Sequence, residues 1–81
     1  KLVLNVKLVR SVKFSRGEAA MFTCGVTRTV GVIKNIYTKR GDLIFEVELK
    51  MPVVVLEGAR IAISKRERNS WRLVGYATLE N

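Results

Sequence analysis

Apolar residues fall at every second position from the start of the chain. Leu2, Leu4, Val6 and Leu8 alternate with the polar Asn5 and Lys7, the period of a half-buried strand. Around Arg10 the alternation loses phase, and Ser15-Arg16-Gly17-Glu18 reads as a turn ahead of a second strand, Ala19 to Cys24. Gly25 to Thr27 connect to a third extended run, Thr29 to Tyr37, rich in β-branched residues; Gly31 within it marks a bulge or a close backbone approach. Lys39-Arg40-Gly41-Asp42 is the clearest turn signal, because Gly41 can take the positive φ of a tight hairpin. The following strand sets Leu43, Phe45, Val47, Leu49 and Met51 on one face and Glu46, Glu48 and Lys50 on the other, with Ile44 the exception. Pro52 marks a strand end or an edge, and Val53-Val54-Val55 reads as a short segment covered on both sides. Glu57-Gly58 turn the chain into a last hairpin, Arg60 to Lys65 and Trp71 to Tyr76, joined by Glu67-Arg68-Asn69-Ser70.

Short strands separated by turn signals, without a stretch of helical period, predict an all-β fold. At this length, a small closed antiparallel β-barrel of about six to seven strands is favoured over a sandwich, because closure removes edges that so short a chain cannot cover. Residues 1–81 are expected to form a single domain. The chain begins at Lys1 without an initiator methionine, as a processed or excised piece of a longer polypeptide does.

Composition narrows the chemistry. There is no histidine and one cysteine, so the usual triads, zinc sites and thiol relays are unavailable. Cys24, among Ala20, Met21, Phe22 and Thr23, reads as a small buried apolar residue. Glu46 and Glu48 share a strand face, but Lys50 beside them points to an outward polar face and not an acid/base pair. No Gly-x-x-x-x-Gly-Lys-Ser/Thr loop occurs. The isolated domain is therefore expected to be no enzyme, with no metal and no cofactor of its own. The absence of a disulfide framework argues for a reducing, cytoplasmic setting, and no apolar run approaches the roughly eighteen residues of a membrane span.

A net charge of +8, from fifteen Lys and Arg against seven acids, favours polyanionic partners, nucleic acid first. Five of the fifteen lie in the last hairpin: Arg60, Lys65, Arg66, Arg68 and Arg72. On strands, Arg60 and Arg66 can share an outer surface with Arg72, with Lys65 and Arg68 near the hairpin end, at spacings that suit phosphate oxygens. These five are the candidate RNA-binding residues; the competing reading is a solvated face whose charges pair with Glu57 and Glu67. Trp71 shares its face with Leu73 and Leu79, which favours packing into the core over a base-stacking platform.

Several stretches together carry a family resemblance: Gly17-Glu18, Gly25 with Thr29-Val30-Gly31-Val32, Glu48-Leu49-Lys50-Met51-Pro52-Val53, and Gly58-Ala59-Arg60-Ile61-Ala62-Ile63-Ser64-Lys65-Arg66 running to Trp71-Arg72-Leu73-Val74-Gly75-Tyr76. From Gly17 to Leu79 the chain resembles the C-terminal domain of the gamma subunit of archaeal and eukaryotic translation initiation factor two. The resemblance implies the third domain of a translational GTPase, a barrel of the elongation factor Tu type packed on a GTP-binding domain and a second barrel. It further implies GTP and Mg in the parent, delivery of initiator methionyl-tRNA to the small ribosomal subunit, and association with alpha and beta subunits. Gly58 to Ile63 followed by Val74-Gly75 is also similar to the last barrel of elongation factor Tu and of the selenocysteine-specific factor, whereas Trp71-Arg72-Leu73 favours the initiation factor. A free-standing basic barrel that binds RNA directly is the alternative. Two departures from the family stand out: Arg10 to Arg16 is short where a longer loop is usual, and Ala20-Met21-Phe22-Thr23-Cys24-Gly25 replaces the usual Leu-Met-Leu-Asn-Val-Gly.

Overall fold

A computed structural model describes residues 1–80, and its described residues contain strands and turns but no helix. The strands are β1 (Leu2–Leu8), β2 (Ala19–Cys24), β3 (Thr27–Lys39), β4 (Asp42–Leu49), β5 (Ile61–Glu67) and β6 (Ser70–Leu79). They close into an antiparallel barrel in the ring order β1-β4-β3-β2-β5-β6, so six strands form the predicted architecture. The β2-β3-β4 meander, the β5-β6 hairpin and β1 are joined by pairings of residues distant in sequence. Leu4 pairs with Leu79, and Phe22 with Ile63.

Alternation decides what lies inside. Leu4 and Val6 of β1, Ala20 and Phe22 of β2, Ile33 of β3, Phe45 and Val47 of β4, Ile61 and Ile63 of β5, and Val74 and Ala77 of β6 form one buried cluster. Each large aliphatic or aromatic side chain buried there contributes about 1.5–3 kcal/mol. Gly31 faces this interior. A Cβ at that position would stand 2.9 Å from Leu49 Cδ2, 2.9 Å from Val47 Cγ1 and 3.1 Å from Phe22 Cε2. Close approach is therefore the reason for that glycine, and the bulge of β3 lies further on, between Ile33 and Asn35. The β3-β4 turn forms as expected, with positive φ at both Arg40 (55°) and Gly41 (83°), as a type I′ hairpin requires.

Three readings of the pattern need correction. First, β4 ends at Leu49, so Met51 does not extend its inner face and is 69% exposed. Second, Val53-Val54-Val55 is not covered on both sides: Val54 is 85% exposed, and the segment pairs with no strand. Pro52 has no N–H to donate, and the ring is already closed by the β1-β6 and β2-β5 pairings, so a seventh strand has no edge to join. Third, Trp71 and Leu73 do not face the core. A bulge in β6 opposite Ile63 and Ser64 makes Val74 an extra residue and shifts the phase of the strand. Val74 is buried while Leu73 is 43% exposed.

Ile44, the apolar exception on the polar face of β4, is fully buried yet stands outside the interior cluster, in register between Asn5 of β1 and Tyr37 of β3. Tyr37 beside it has its phenol pushed above the usual range, by desolvation first and then by the charge and hydrogen bonding of Glu46.

Candidate nucleic-acid interface

The β5-β6 hairpin distributes its charges to two sides. Strand alternation puts Ala62, Ser64 and Arg66 outward and sends Ile61, Ile63 and Lys65 to the interior side. Arg60 precedes β5 and is exposed; its guanidinium lies 5.1 Å from the ring centre of Tyr76. Arg66 pairs in register with Trp71 and lies 5.6 Å from the centre of the indole. Such contacts are worth about 0.5–1 kcal/mol at exposed sites and hold a flexible side chain in place. Arg66 Nε also donates to the carbonyl oxygen of Arg68 at 3.4 Å, which leaves its terminal nitrogens for anions.

Lys65 lies at the end of the barrel, with its ammonium bound to Glu18, to the carbonyl oxygen of Lys13 (2.8 Å), and over the Phe14 ring (4.6 Å). Arg72 pairs in register with Lys65 and not with Arg66, and its Nε reaches Glu67 Oε1 at 3.3 Å. Arg10 approaches the same carboxylate oxygen at 3.8 Å. Arg68 occupies the exposed hairpin tip with φ of 57°. Of the five candidates, then, Arg60 and Arg66 share an outward face, Arg72 and Lys65 stand on the other side in ion pairs, and Arg68 caps the turn between them.

Barrel closure adds residues that the hairpin alone does not reveal. Lys7 of β1 pairs with Tyr76, and Thr23 of β2 lies between Ala62 of β5 and Arg28 of β3. Lys7 and Arg28 are exposed, so a basic surface runs from β1 across β6, β5 and β2 to β3. Glu67 is the one carboxylate in β2, β5 and β6, and it points to the side of Lys65. The acids cluster instead on β4, which carries Asp42, Glu46 and Glu48 and stands across the ring from β5. The alternating Met21 and Thr23 of β2 were the available signal for the extra wall, but which strand lies beside β2 is a property of the closed ring.

At the end of the barrel where β1 begins and β2 and β4 finish, the surface is apolar. Val26, Met51, Val54 and Leu56 are all more than two-thirds exposed, and Val54 and Leu56 line a depression with Gly25 and Ala59.

The fold is that of a small closed antiparallel β-barrel, with an arginine–aromatic wall on one side and an apolar end. The family comparison is specific. The model of the C-terminal domain of initiation factor eIF2 gamma matches residues 1–79. The chain is 42% identical over 78 residues to translation initiation factor 2 subunit gamma of Thermoplasma volcanium, covering 96% of this chain and 17% of that protein. It is 44% identical over 64 residues to the Methanocaldococcus jannaschii subunit, covering 79% of this chain and 15% of the relative. For the Haloquadratum walsbyi subunit the identity is 44% over 66 residues, with 82% and 15% covered. The chain belongs to the family of C-terminal domains of translation initiation factor 2 gamma subunits. It spans about a sixth of the length of these relatives.

Proposed function

We propose that this barrel is the noncatalytic C-terminal module of a translation initiation GTPase that delivers initiator methionyl-tRNA to the small ribosomal subunit, and that its outward basic face contacts RNA phosphates. In this reading the barrel packs on a GTP-binding domain and a second barrel, within a factor that also has alpha and beta subunits. GTP and Mg belong to the sister domain, since this chain has no phosphate loop. The apolar end at Val26, Met51, Val54 and Leu56 supports the packing role, because apolar surface of that kind favours burial against another domain.

The observation that carries the RNA contact is the pair of held guanidiniums, Arg60 over Tyr76 and Arg66 over Trp71, on a face shared with Arg28 and Lys7. Arg68 extends it at the hairpin tip. Lys65 and Arg72 add positive charge from within ion pairs. Binding of duplex RNA to the chain tests the reading. Each phosphate neutralised adds about 0.9 to the slope of log affinity against log salt, so replacing both Arg60 and Arg66 with alanine is expected to flatten the slope by about two phosphates' worth. Undetectable RNA binding in low salt, or an unchanged slope in the double variant, defeats the RNA role.

A further inference from the structure

Between β2, β5 and β6 the outer wall carries a shallow, open groove of about 340 Å³. Trp71, Leu73, Met21 and Ala62 supply apolar walls, Thr23 and Ser64 supply hydroxyls, and Arg28 closes one side. Arg66 lies over the indole that forms another wall. The bulge at Val74 creates this site, because it turns Trp71 and Leu73 away from the core.

We propose that this groove seats an unpaired nucleobase, with the flanking phosphates held by Arg28 and Arg66. The inference rests on the RNA contact proposed above and adds a ligand class to it. A nucleotide joins a flat, weakly polar ring to a fixed negative charge. The groove matches that combination with an indole and apolar walls for the ring, hydroxyls for its edge, and arginines for its phosphate. An apolar peptide side chain fills the groove but leaves the arginines unpaired, and a duplex presents phosphates without a free base. Among the described residues no carboxylate lines the groove, and Arg28 and Arg66 supply the charge complementarity.

Trp71 is the only tryptophan, so its emission reports on the groove alone. The chain is titrated in low salt with a single-stranded RNA, with a duplex RNA of equal length, and with an acidic peptide containing phenylalanine. Stacking is expected to quench Trp71 with the single strand and not with the duplex. Ala62→Leu, which fills the groove from the outside, is expected to weaken single-strand affinity about tenfold and abolish the quench while leaving duplex affinity unchanged. Leu73→Asn, at an exposed position, is expected to weaken the single strand selectively as well, which guards against a folding defect in the first variant. If both RNAs bind but the quench is absent, equal for the two, or insensitive to Ala62→Leu, the base site is overturned and the phosphate contact stands. If neither RNA binds, both proposals fail. If the acidic peptide quenches Trp71 and displaces the single strand, the groove belongs to a protein segment and the base site is overturned.

Discussion

Lys65 and Glu18, 47 residues apart, meet as an ion pair at one end of the barrel and tie the β1-β2 connection to the last hairpin. The same ammonium takes the carbonyl of Lys13 and lies over Phe14, whose ring meets Phe45 edge-on at 5.4 Å. The pair is half-buried, so it is screened less than a surface pair. Lys65→Met is expected to cost about 1–2 kcal/mol in urea unfolding, and a double-mutant cycle with Glu18→Gln to return a coupling of about 1 kcal/mol. Additive effects would show that the pair contributes nothing beyond its separate members.

Gly75 fits under the backbone of β1. A Cβ there would lie 2.6 Å from the carbonyl oxygen of Lys7, a group held in the β1-β6 ladder. Gly75→Ala is expected to destabilise the barrel by about 2–3 kcal/mol, while Gly31→Ala, which meets only side-chain ends, costs less. Urea midpoints of the two variants give the comparison directly.

Arg40 takes a left-handed conformation at the first position of a type I′ turn, which asparagine adopts more easily. Arg40→Asn is expected to raise stability by about 0.5 kcal/mol, read as a small increase in Tm. A decrease would mean that the arginine side chain contributes more than its backbone strain costs.

Cys24 is half-buried at the end of β2, and desolvation pushes its thiol above the ordinary value. The thiolate is the reactive form. Modification of the folded chain by a disulfide reagent at neutral pH is therefore expected to be slower than that of the chain unfolded in urea, with the difference narrowing as pH rises. The linkage runs the same way. A raised thiol pKa contributes stability that is present below the unfolded value and lost as pH rises through the folded one. Equal rates in urea and buffer would contradict the burial.

Tyr37 gives a second pH-dependent signal of the same sign. Its raised phenol keeps its proton to higher pH in the folded chain than in the unfolded one. An absorbance titration is expected to show one tyrosine ionising late, and Tyr37→Phe to remove that late phase.

Much of the barrel could be read from alternation alone, since period-two burial is local. β2 was read at its observed bounds, and the turns at Gly17, Gly41 and Gly58 appear where punctuation placed them, each with positive φ at the glycine. The errors came where the period breaks. Trp71, Leu73 and Leu79 look like one face when counted by twos, but the extra residue Val74 separates them, and the strand-interior Gly75 next to it is the one local sign of the bulge. Val53-Val54-Val55 has every local property of a strand and lacks only a neighbour to pair with. The candidate site was legible as far as the hairpin reached. Arg60 and Arg66 followed from alternation, whereas Arg28, Lys7 and Met21 join them through pairings across the ring that one strand does not encode.

The two opposite walls of the ring carry different side chains: β4 presents Asp42, Glu46 and Glu48, with Lys1 paired to Glu46, while the wall on and beside β5 presents Arg60 and Arg66. If the partner is the RNA proposed above, that difference acts at separations up to a Debye length of about 8 Å at physiological salt. Encounters with the β5 wall would then outnumber those with the β4 wall before any contact forms.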